Sequence, residues 1–223
     1  MAKLSDLIPA TASVLGVPEK TVAIYARHLR EARLITTGGR GPGGADMTPR
    51  DCANLLIAIM GAEYAKDAAQ VIKKYRPIVA GRERISWRLP KMPLDALTQL
   101  PEHHQFGNAL EALITAATDG SLEQALEVVS ERVRELRSVF PLTFSVSIMG
   151  PVPVARISIS AAEWSEEVTY SEPDPWLKTD KPPKTAVRKW EKKLERRGPM
   201  GDLEQARIVS TRTILPLGQL LRH

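Results

Sequence analysis

The sequence predicts an α+β protein, with helices in its N-terminal half and helices combined with a small antiparallel sheet in its C-terminal half. Several segments before residue 138 repeat apolar residues at the spacing of a helix. The period then changes to two, because Phe144, Val146 and Ile148 alternate with hydroxyl residues. The chain has 223 residues, of which 43% are hydrophobic, so it can bury one large core or two small ones.

The composition excludes several classes of protein. No apolar run reaches the roughly 18 residues of a membrane span, and the first residues lack the apolar stretch and cleavage site of a signal peptide. Cys52 is the one cysteine, which rules out an intrachain disulfide and a cysteine-rich zinc site. The sequence therefore predicts a soluble, cytoplasmic protein.

Two helices joined by a tight turn are predicted near the N-terminus. The first spans about residues 5–15 and the second about residues 19–33, with the turn at residues 16–18, where a proline suits the start of the second helix. A short strand is predicted over residues 34–37. Residues 38–44 are too rich in glycine to hold regular structure.

A further helical segment, which forms a helical connector, is predicted to begin at Thr48. Its hydroxyl can cap the helix, Pro49 suits the first turn, and Asp51 lies near the positive end of the helix dipole. The apolar pattern continues to Tyr75. Residues 55–75 are therefore a candidate surface for pairing with a second copy.

The C-terminal half is predicted to alternate between helices and strands. Helices are expected at about residues 104–118, 121–137 and 185–197, and strands at about 140–148, 155–159, 167–170 and 207–214, before a short apolar end. Residues 78–103 contain three prolines and are predicted to be mostly irregular. We therefore expect an N-terminal unit (residues 1–77), a linker (78–103) and a C-terminal α+β unit (104–223).

Residues 12–35 resemble the winged helix-turn-helix domain of prokaryotic DNA-binding regulators. The positions that carry the likeness are Ala12, Gly16, Val17, Val22 and Leu29. They supply a small residue where two helices approach, a glycine at the turn, and aliphatic side chains between the helices. Arg33 stands where such domains commonly have glycine. The resemblance covers about residues 4–50.

This resemblance implies that the second helix enters the major groove of double-stranded DNA, and that residues 38–44 form the tip of a wing. A helical wheel places Val22, Ala26, Leu29 and Arg33 on the inward side. The outward side and its margins carry Lys20, Thr21, Ala23, Ile24, Arg27, His28 and Arg30. Arginine can bind guanine edges, and small apolar side chains can touch thymine methyl groups. Arg40 is predicted to reach a minor groove or a phosphate, and Lys3 and Arg50 to contact phosphates.

Charge is distributed unevenly along the chain. Residues 1–91 carry a net +7, residues 92–177 a net −9 and residues 178–197 a net +6, within a total of +5. The last of these segments could follow DNA phosphates or bind the acidic middle of its own or a partner chain, and both interpretations stay open. The cations of this segment that could follow phosphates are Lys181, Lys184, Arg188, Lys189, Lys192, Lys193, Arg196 and Arg197.

No catalytic arrangement is evident in the sequence. The four histidines lack the spacing of a helical metal site. The letters G-x-G-x-x-G at residues 39–44 follow a helix, whereas a dinucleotide site requires a preceding strand. Cys52 fits a buried position better than a reactive one. We therefore expect no enzyme activity, no cofactor and no metal.

The leading hypothesis is a sequence-specific DNA-binding protein that regulates transcription as a dimer, because one such helix contacts only a short site. One alternative is a DNA-packaging or replication-initiation factor of a phage or another mobile element. A second alternative is an adaptor whose N-terminal unit binds protein. The C-terminal unit is expected to support homo-oligomerisation or to bind a protein partner, and no membrane is expected to be involved.

Overall fold

The computed structural model describes residues 2–38, 44–86, 94–135, 142–161, 164–177, 179–195 and 204–222. Its helices are α1 (Leu4–Leu15), α2 (Glu19–Glu31), α3 (Pro49–Gly61), α4 (Ala68–Tyr75), α5 (Asp95–Thr98), α6 (Phe106–Asp119), α7 (Ser121–Glu135), α8 (Lys184–Glu195) and α9 (Thr211–Arg222). Its strands are β1 (Val79–Ser86), β2 (Thr143–Gly150), β3 (Val154–Ala161), β4 (Trp164–Ser171) and β5 (Gln205–Ser210). The α+β class predicted from the sequence is confirmed.

The strands form an antiparallel sheet in the order β1-β4-β3-β2-β5. Its centre is the set of strands predicted from the alternation of apolar and hydroxyl residues. Val146 lies opposite Ile157, which also lies opposite Val168. On the other face Ser145 lies opposite Ser158, and their hydroxyl oxygens are 2.8 Å apart. One face of the sheet therefore packs against helices, and the other carries hydroxyl groups.

Helix α3 lies at the centre of the helical part of the molecule. Every residue from 51 to 60 is buried, because the helix packs against α2, α4, α6 and β2. The predicted cap is present: Asp51 N donates to Thr48 Oγ1 at 3.2 Å, and Thr48 N donates to Asp51 Oδ2 at 2.8 Å. The chain turns back after Gly61. The apolar faces of residues 55–75, the candidate surface for pairing with a second copy, are buried inside the chain.

Residues 78–103, predicted to be a mostly irregular linker, contain one strand and one short helix. Val79–Ser86 forms β1 at one edge of the sheet, paired with β4, and Asp95–Thr98 forms α5. The sequence of β1 lacks a regular apolar alternation, so its periodicity gives no strand signal. An edge strand is held by backbone hydrogen bonds to one neighbour and can carry charged residues. Residues 87–93 lie outside the described residues.

The packing crosses the boundaries predicted at residues 77 and 103. Helix α9 lies against α6 and also against α1. Gly218 permits the close approach to α6, since a Cβ atom there would lie 2.3 Å from the Cβ of Ala117. Phe106 N donates to the Ile78 oxygen at 2.8 Å. Buried residues from both halves of the chain therefore form one hydrophobic core.

The final strand is shorter than predicted. A strand was expected over residues 207–214 with a short apolar end, but β5 ends at Ser210 and α9 begins at Thr211. The buried residues of α9 include Thr213, Ile214, Leu217 and Leu221. Their spacing of three to four residues is typical of a helix and outweighs the short alternation before it.

Candidate nucleic-acid interface

Helices α1 and α2 are joined by the turn at residues 16–18. Gly16 has a φ of 65°, in the left-handed region that glycine adopts without steric cost. Val17 N donates to the Ala12 oxygen at 3.1 Å, and Ala12 is buried. The residues that carry the sequence resemblance therefore build the turn between these two packed helices.

Helix α2 separates buried residues from exposed ones. Its buried residues are Val22, Tyr25, Ala26 and Leu29. Lys20, Ile24, Arg27 and Arg30 are exposed, and Thr21, Ala23 and His28 are partly buried. Arg33 does not belong to the inward side, as the helical wheel predicted, because α2 ends at Glu31 and Arg33 is exposed beyond it. The predicted contact residues of α2 thus lie on its surface or at the margin.

The carboxylate of Glu31 places a negative charge beside the exposed cations of α2. Arg27 Nε donates to Glu31 Oε1 at 2.8 Å, and His28 Nδ1 lies 3.7 Å from Glu31 Oε2. The hydrogen bond from Arg27 lowers the pKa of the Glu31 carboxyl and raises that of the guanidinium. Arg27 is therefore already held by an acceptor on the next turn of its own helix.

The residue at which the chain leaves α2 has a left-handed backbone conformation. Arg33 has a φ of 57°, at the position where the domains it resembles commonly have glycine. The predicted strand over residues 34–37 is wrong, because this segment contains a bend at Ile35 and forms no strand. The backbone N–H of Thr36 is bonded to the carboxylate of Asp51 instead. Arg40 lies outside the described residues.

The base of the glycine-rich segment is closed by an ion pair. Lys3 Nζ lies 2.6 Å from Asp46 Oδ1 and also donates to the Gly44 oxygen at 2.6 Å. The bond from Lys3 lowers the pKa of the Asp46 carboxyl. Lys3, a predicted phosphate contact, is therefore engaged within the chain, whereas Arg50 is exposed.

The buried carboxylate of Asp51 joins the loop after α2 to the start of α3. Its Oδ1 accepts from the backbone N of Thr36 at 2.8 Å and from the Thr36 hydroxyl at 3.1 Å. Its Oδ2 accepts from the backbone N of Thr48 at 2.8 Å and from the Thr48 hydroxyl at 2.7 Å. Four donors compensate for the loss of water around this carboxylate.

A second polar chain continues from the same loop into the body of the molecule. Asn54 Nδ2 donates to the Leu34 oxygen at 2.6 Å, and Asn54 Oδ1 accepts from Arg76 Nη1 at 2.8 Å. Arg76 Nη2 lies 2.6 Å from Glu111 Oε2. The sequence analysis did not predict this series of polar contacts. An asparagine within the apolar run of α3 is nevertheless a signal that a buried polar partner exists.

Helix α2 is also fixed to the sheet. Tyr25 Oη donates to the Ala62 oxygen at 3.2 Å, and Arg207 Nη1 donates to the same oxygen at 2.7 Å. Arg207 Nη1 also lies 2.7 Å from the Ile59 oxygen. These bonds satisfy carbonyl groups at the end of α3, which have no partner within the helix. Because Tyr25 and Arg207 donate to the same Ala62 oxygen, they connect α2 to β5 through the end of α3.

The second predicted contact lies on α8. Described residues of this helix are all exposed or partly exposed. Lys184, Arg188, Lys189, Lys192 and Lys193 are exposed, as is Lys181 before the helix. Lys193 Nζ lies 2.6 Å from Glu172 Oε2, just after β4. Arg196 and Arg197 lie outside the described residues.

Cys52 and His104, whose side chains could in principle be reactive, are both buried within the fold. Cys52 is 1% exposed, and its burial raises the thiol pKa to about 12. His104 is buried, with Nδ1 at 2.9 Å from the Pro101 oxygen and Nε2 at 2.9 Å from Tyr170 Oη. Within the described ranges, no group of three or more His, Cys, Asp or Glu residues is placed to hold a metal ion.

Comparisons with known proteins found no match to a protein family, a curated protein or a solved structure. In the part of the chain that the structure describes, every helix is too short or too polar to cross a membrane. Function is therefore inferred from the geometry of α1, α2 and the loop that follows them.

Proposed function

We propose that the chain is a double-stranded DNA-binding protein that regulates transcription, with α2 as the helix that enters the major groove. The observation that carries this proposal is the division of α2 into a buried apolar side and an exposed side with Lys20, Ile24 and Arg27. The turn to α1 leaves that exposed side uncovered along the helix. Helix-turn-helix proteins present their second helix to DNA in this way.

The exposed residues supply different kinds of contact. Arg27 has the forked donors that bind O6 and N7 of guanine, and Ile24 and Ala23 fit beside thymine methyl groups. Lys20 lies in the first turn of α2, where the helix dipole also favours a phosphate. Arg30 adds a second charge for the backbone. The helix therefore combines base recognition with neutralisation of phosphates.

Glu31 makes the contact between Arg27 and DNA depend on whether a guanine is within reach. A carboxylate near DNA phosphates is repelled on every sequence, so Glu31 weakens binding in general. At a site with a guanine in reach, the guanine edge replaces Glu31 as the partner of Arg27. The pair of residues therefore favours discrimination between sequences over affinity for DNA as such.

Two copies are proposed to bind two half-sites, because a single recognition helix contacts too few base pairs for a specific site. In this arrangement the exposed cations of α8 supply additional phosphate contacts. They contribute affinity that falls as the salt concentration rises and that is independent of sequence.

The proposal is tested by selecting bound sequences from random DNA with the purified protein, and then measuring affinity for the selected and a scrambled site. Arg27→Ala should weaken binding to the selected site roughly 5- to 150-fold, as expected for a lost bidentate guanine contact, with a smaller effect on the scrambled site. The matched control is Arg134→Ala, which removes an exposed arginine from α7 and should change neither affinity. Absence of both sequence enrichment and salt-dependent binding overturns the proposal.

A further inference from the structure

The two edges of the sheet differ in how they are protected against pairing. At β1 the register shifts between Ala80 and Arg84, and the strand sequence carries charged residues at positions 82, 83 and 84. Irregular and charged edges discourage another strand from adding to the sheet. At β5 the register with β2 is unbroken from Gln205 to Ser210, and the strand contains neither lysine nor proline. Among the described strands β5 therefore pairs with β2 alone, and its register is regular along its whole length.

An apolar side chain is exposed on this same strand. Ile208 is 66% exposed, the highest exposure of a large hydrophobic residue in the described parts of the chain. Ala206, two residues earlier on the same face, is also exposed. The charged residue between them, Arg207, points to the other face and is bonded to the oxygens of Ile59 and Ala62. Ala206 and Ile208 thus form an exposed apolar pair at the edge of the hydroxyl-bearing face of the sheet.

We propose that β5 is a dimerisation edge, at which two copies of the chain pair β5 with β5 antiparallel about a twofold axis at Ile208. Each copy offers the same strand, so the contact is closed and self-complementary. The backbone groups at the outer side of each β5 find partners in the other copy. The two sheets become one continuous sheet across the axis.

Side-chain pairing favours this register over the registers centred on Arg207 and on Ala206. With Ile208 on the axis, the two isoleucines face each other and Arg207 faces Val209 of the second copy. With Arg207 on the axis, two like charges would lie opposite each other, which is unfavourable. With Ala206 on the axis, Ile208 would face the charged side chain of Glu204. The register at Ile208 buries the exposed apolar residue and opposes no like charges.

The pairing also fixes the separation of the two α2 helices. Tyr25 of α2 and Arg207 of β5 donate to the same oxygen of Ala62, so α2 has a set position relative to the edge. A twofold axis at β5 therefore determines the spacing of two DNA half-sites. This consequence rests on the proposed function, whereas the strand pairing itself does not. One strand pair makes a small interface, so we expect a dimer of roughly micromolar affinity.

The first experiment is disulfide crosslinking of the full chain. Ile208→Cys should give a covalent dimer under mild oxidation, because opposed residues of antiparallel strands have Cα atoms about 4.5–5.5 Å apart, within the range of a disulfide. The matched control is Val128→Cys on α7, since Val128 is 65% exposed and lies outside the proposed contact. The native Cys52 is buried and gives no background. Equal crosslinking of both variants, or none of Ile208→Cys, overturns the proposal.

The second experiment measures mass in solution by sedimentation. At about 100 µM the unmodified chain should be mainly dimeric, given the expected affinity. Ile208→Lys, which keeps a surface residue and leaves the core intact, should sediment as a monomer, whereas Val128→Lys should remain dimeric. A monomeric unmodified chain, or a dimeric Ile208→Lys, overturns the pairing. If Ile208→Cys crosslinks but neither the crosslinked nor the unmodified chain binds DNA, the pairing is supported and the DNA-binding function is overturned, so the two failures are distinguishable.

Discussion

The side-chain amide of Asn54 donates to the backbone oxygen of Leu34 at 2.6 Å, which ties the buried helix α3 to the chain just beyond α2. The other end of the amide accepts from Arg76 at 2.8 Å. Since Arg76 can only donate, it fixes which end of the amide faces Leu34. Asn54 and Arg76 therefore fix the orientation of the backbone at Leu34, just after α2.

Removing this amide should destabilise the fold. Asn54→Ala leaves the Leu34 oxygen without its donor and Arg76 Nη1 without this acceptor, and the loss of such partly buried hydrogen bonds costs about 1–3 kcal/mol. The free energy of unfolding is measured by urea denaturation. Asn108→Ala, which changes an exposed asparagine on α6, serves as the control and should change it little. Equal stability of the two variants would show that the amide is not needed.

Glycine at position 33 should stabilise the protein. The φ of 57° at Arg33 is unfavourable for a residue with a Cβ atom, so Arg33→Gly should raise the free energy of unfolding by about 1 kcal/mol. Arg30→Gly, three residues earlier within α2, should lower it by about 1 kcal/mol, as glycine does inside a helix. Thermal denaturation of the two variants checks the opposite signs; a loss of stability in both contradicts the prediction.

Neutralising Glu31 should increase affinity for DNA and reduce discrimination. Glu31→Gln removes a negative charge from the exposed face and releases Arg27 from its carboxylate partner, so binding to non-specific DNA should tighten several-fold at low salt. Glu131→Gln, at an exposed position of α7, is the control for the same change of net charge. Affinity for selected and scrambled sites is measured by titration. A Glu31→Gln protein with unchanged affinity for both sites contradicts the role assigned to Glu31.

The thiol of Cys52 should be inert in the folded protein. Burial raises its pKa to about 12, above the usual value of about 8.5, so raising the pH from 7 to 9 should not produce the reactive thiolate. A thiol-reactive dye should label the native chain at neither pH and should label it at both in denaturing urea. Rapid labelling of the native chain at pH 9 would show that this part of α3 opens to solvent.

Local patterns predicted the elements that bury one face within a short stretch of sequence. The helical spacing of Val22, Ala26 and Leu29 gave α2, and the alternation around Val146 and Ile157 gave the central strands. In both cases the periodicity of the apolar residues reflects the geometry of the element itself. The exposed side of α2 followed from the same pattern.

Local patterns did not predict contacts between residues that are far apart in the sequence. Strand β1 depends on hydrogen bonds to β4, so its own sequence carried little signal. The loop after α2 was expected to be a strand, but Asp51 takes up its backbone N–H at Thr36. The chain from Leu34 through Asn54 and Arg76 to Glu111 joins four segments. Side-chain partners of this kind compete with local preference, and only the folded chain brings them together.

The packing of α9 against α1 sets the order in which the molecule can be completed during synthesis. These two helices are roughly 200 residues apart, which a ribosome takes about 10–40 s to traverse. Throughout that interval the surface of α1 that α9 covers has no partner, and contacts of such long sequence separation form late in folding. The packing of α1, and with it the support that α1 gives to α2, is therefore complete only after α9 has been synthesised.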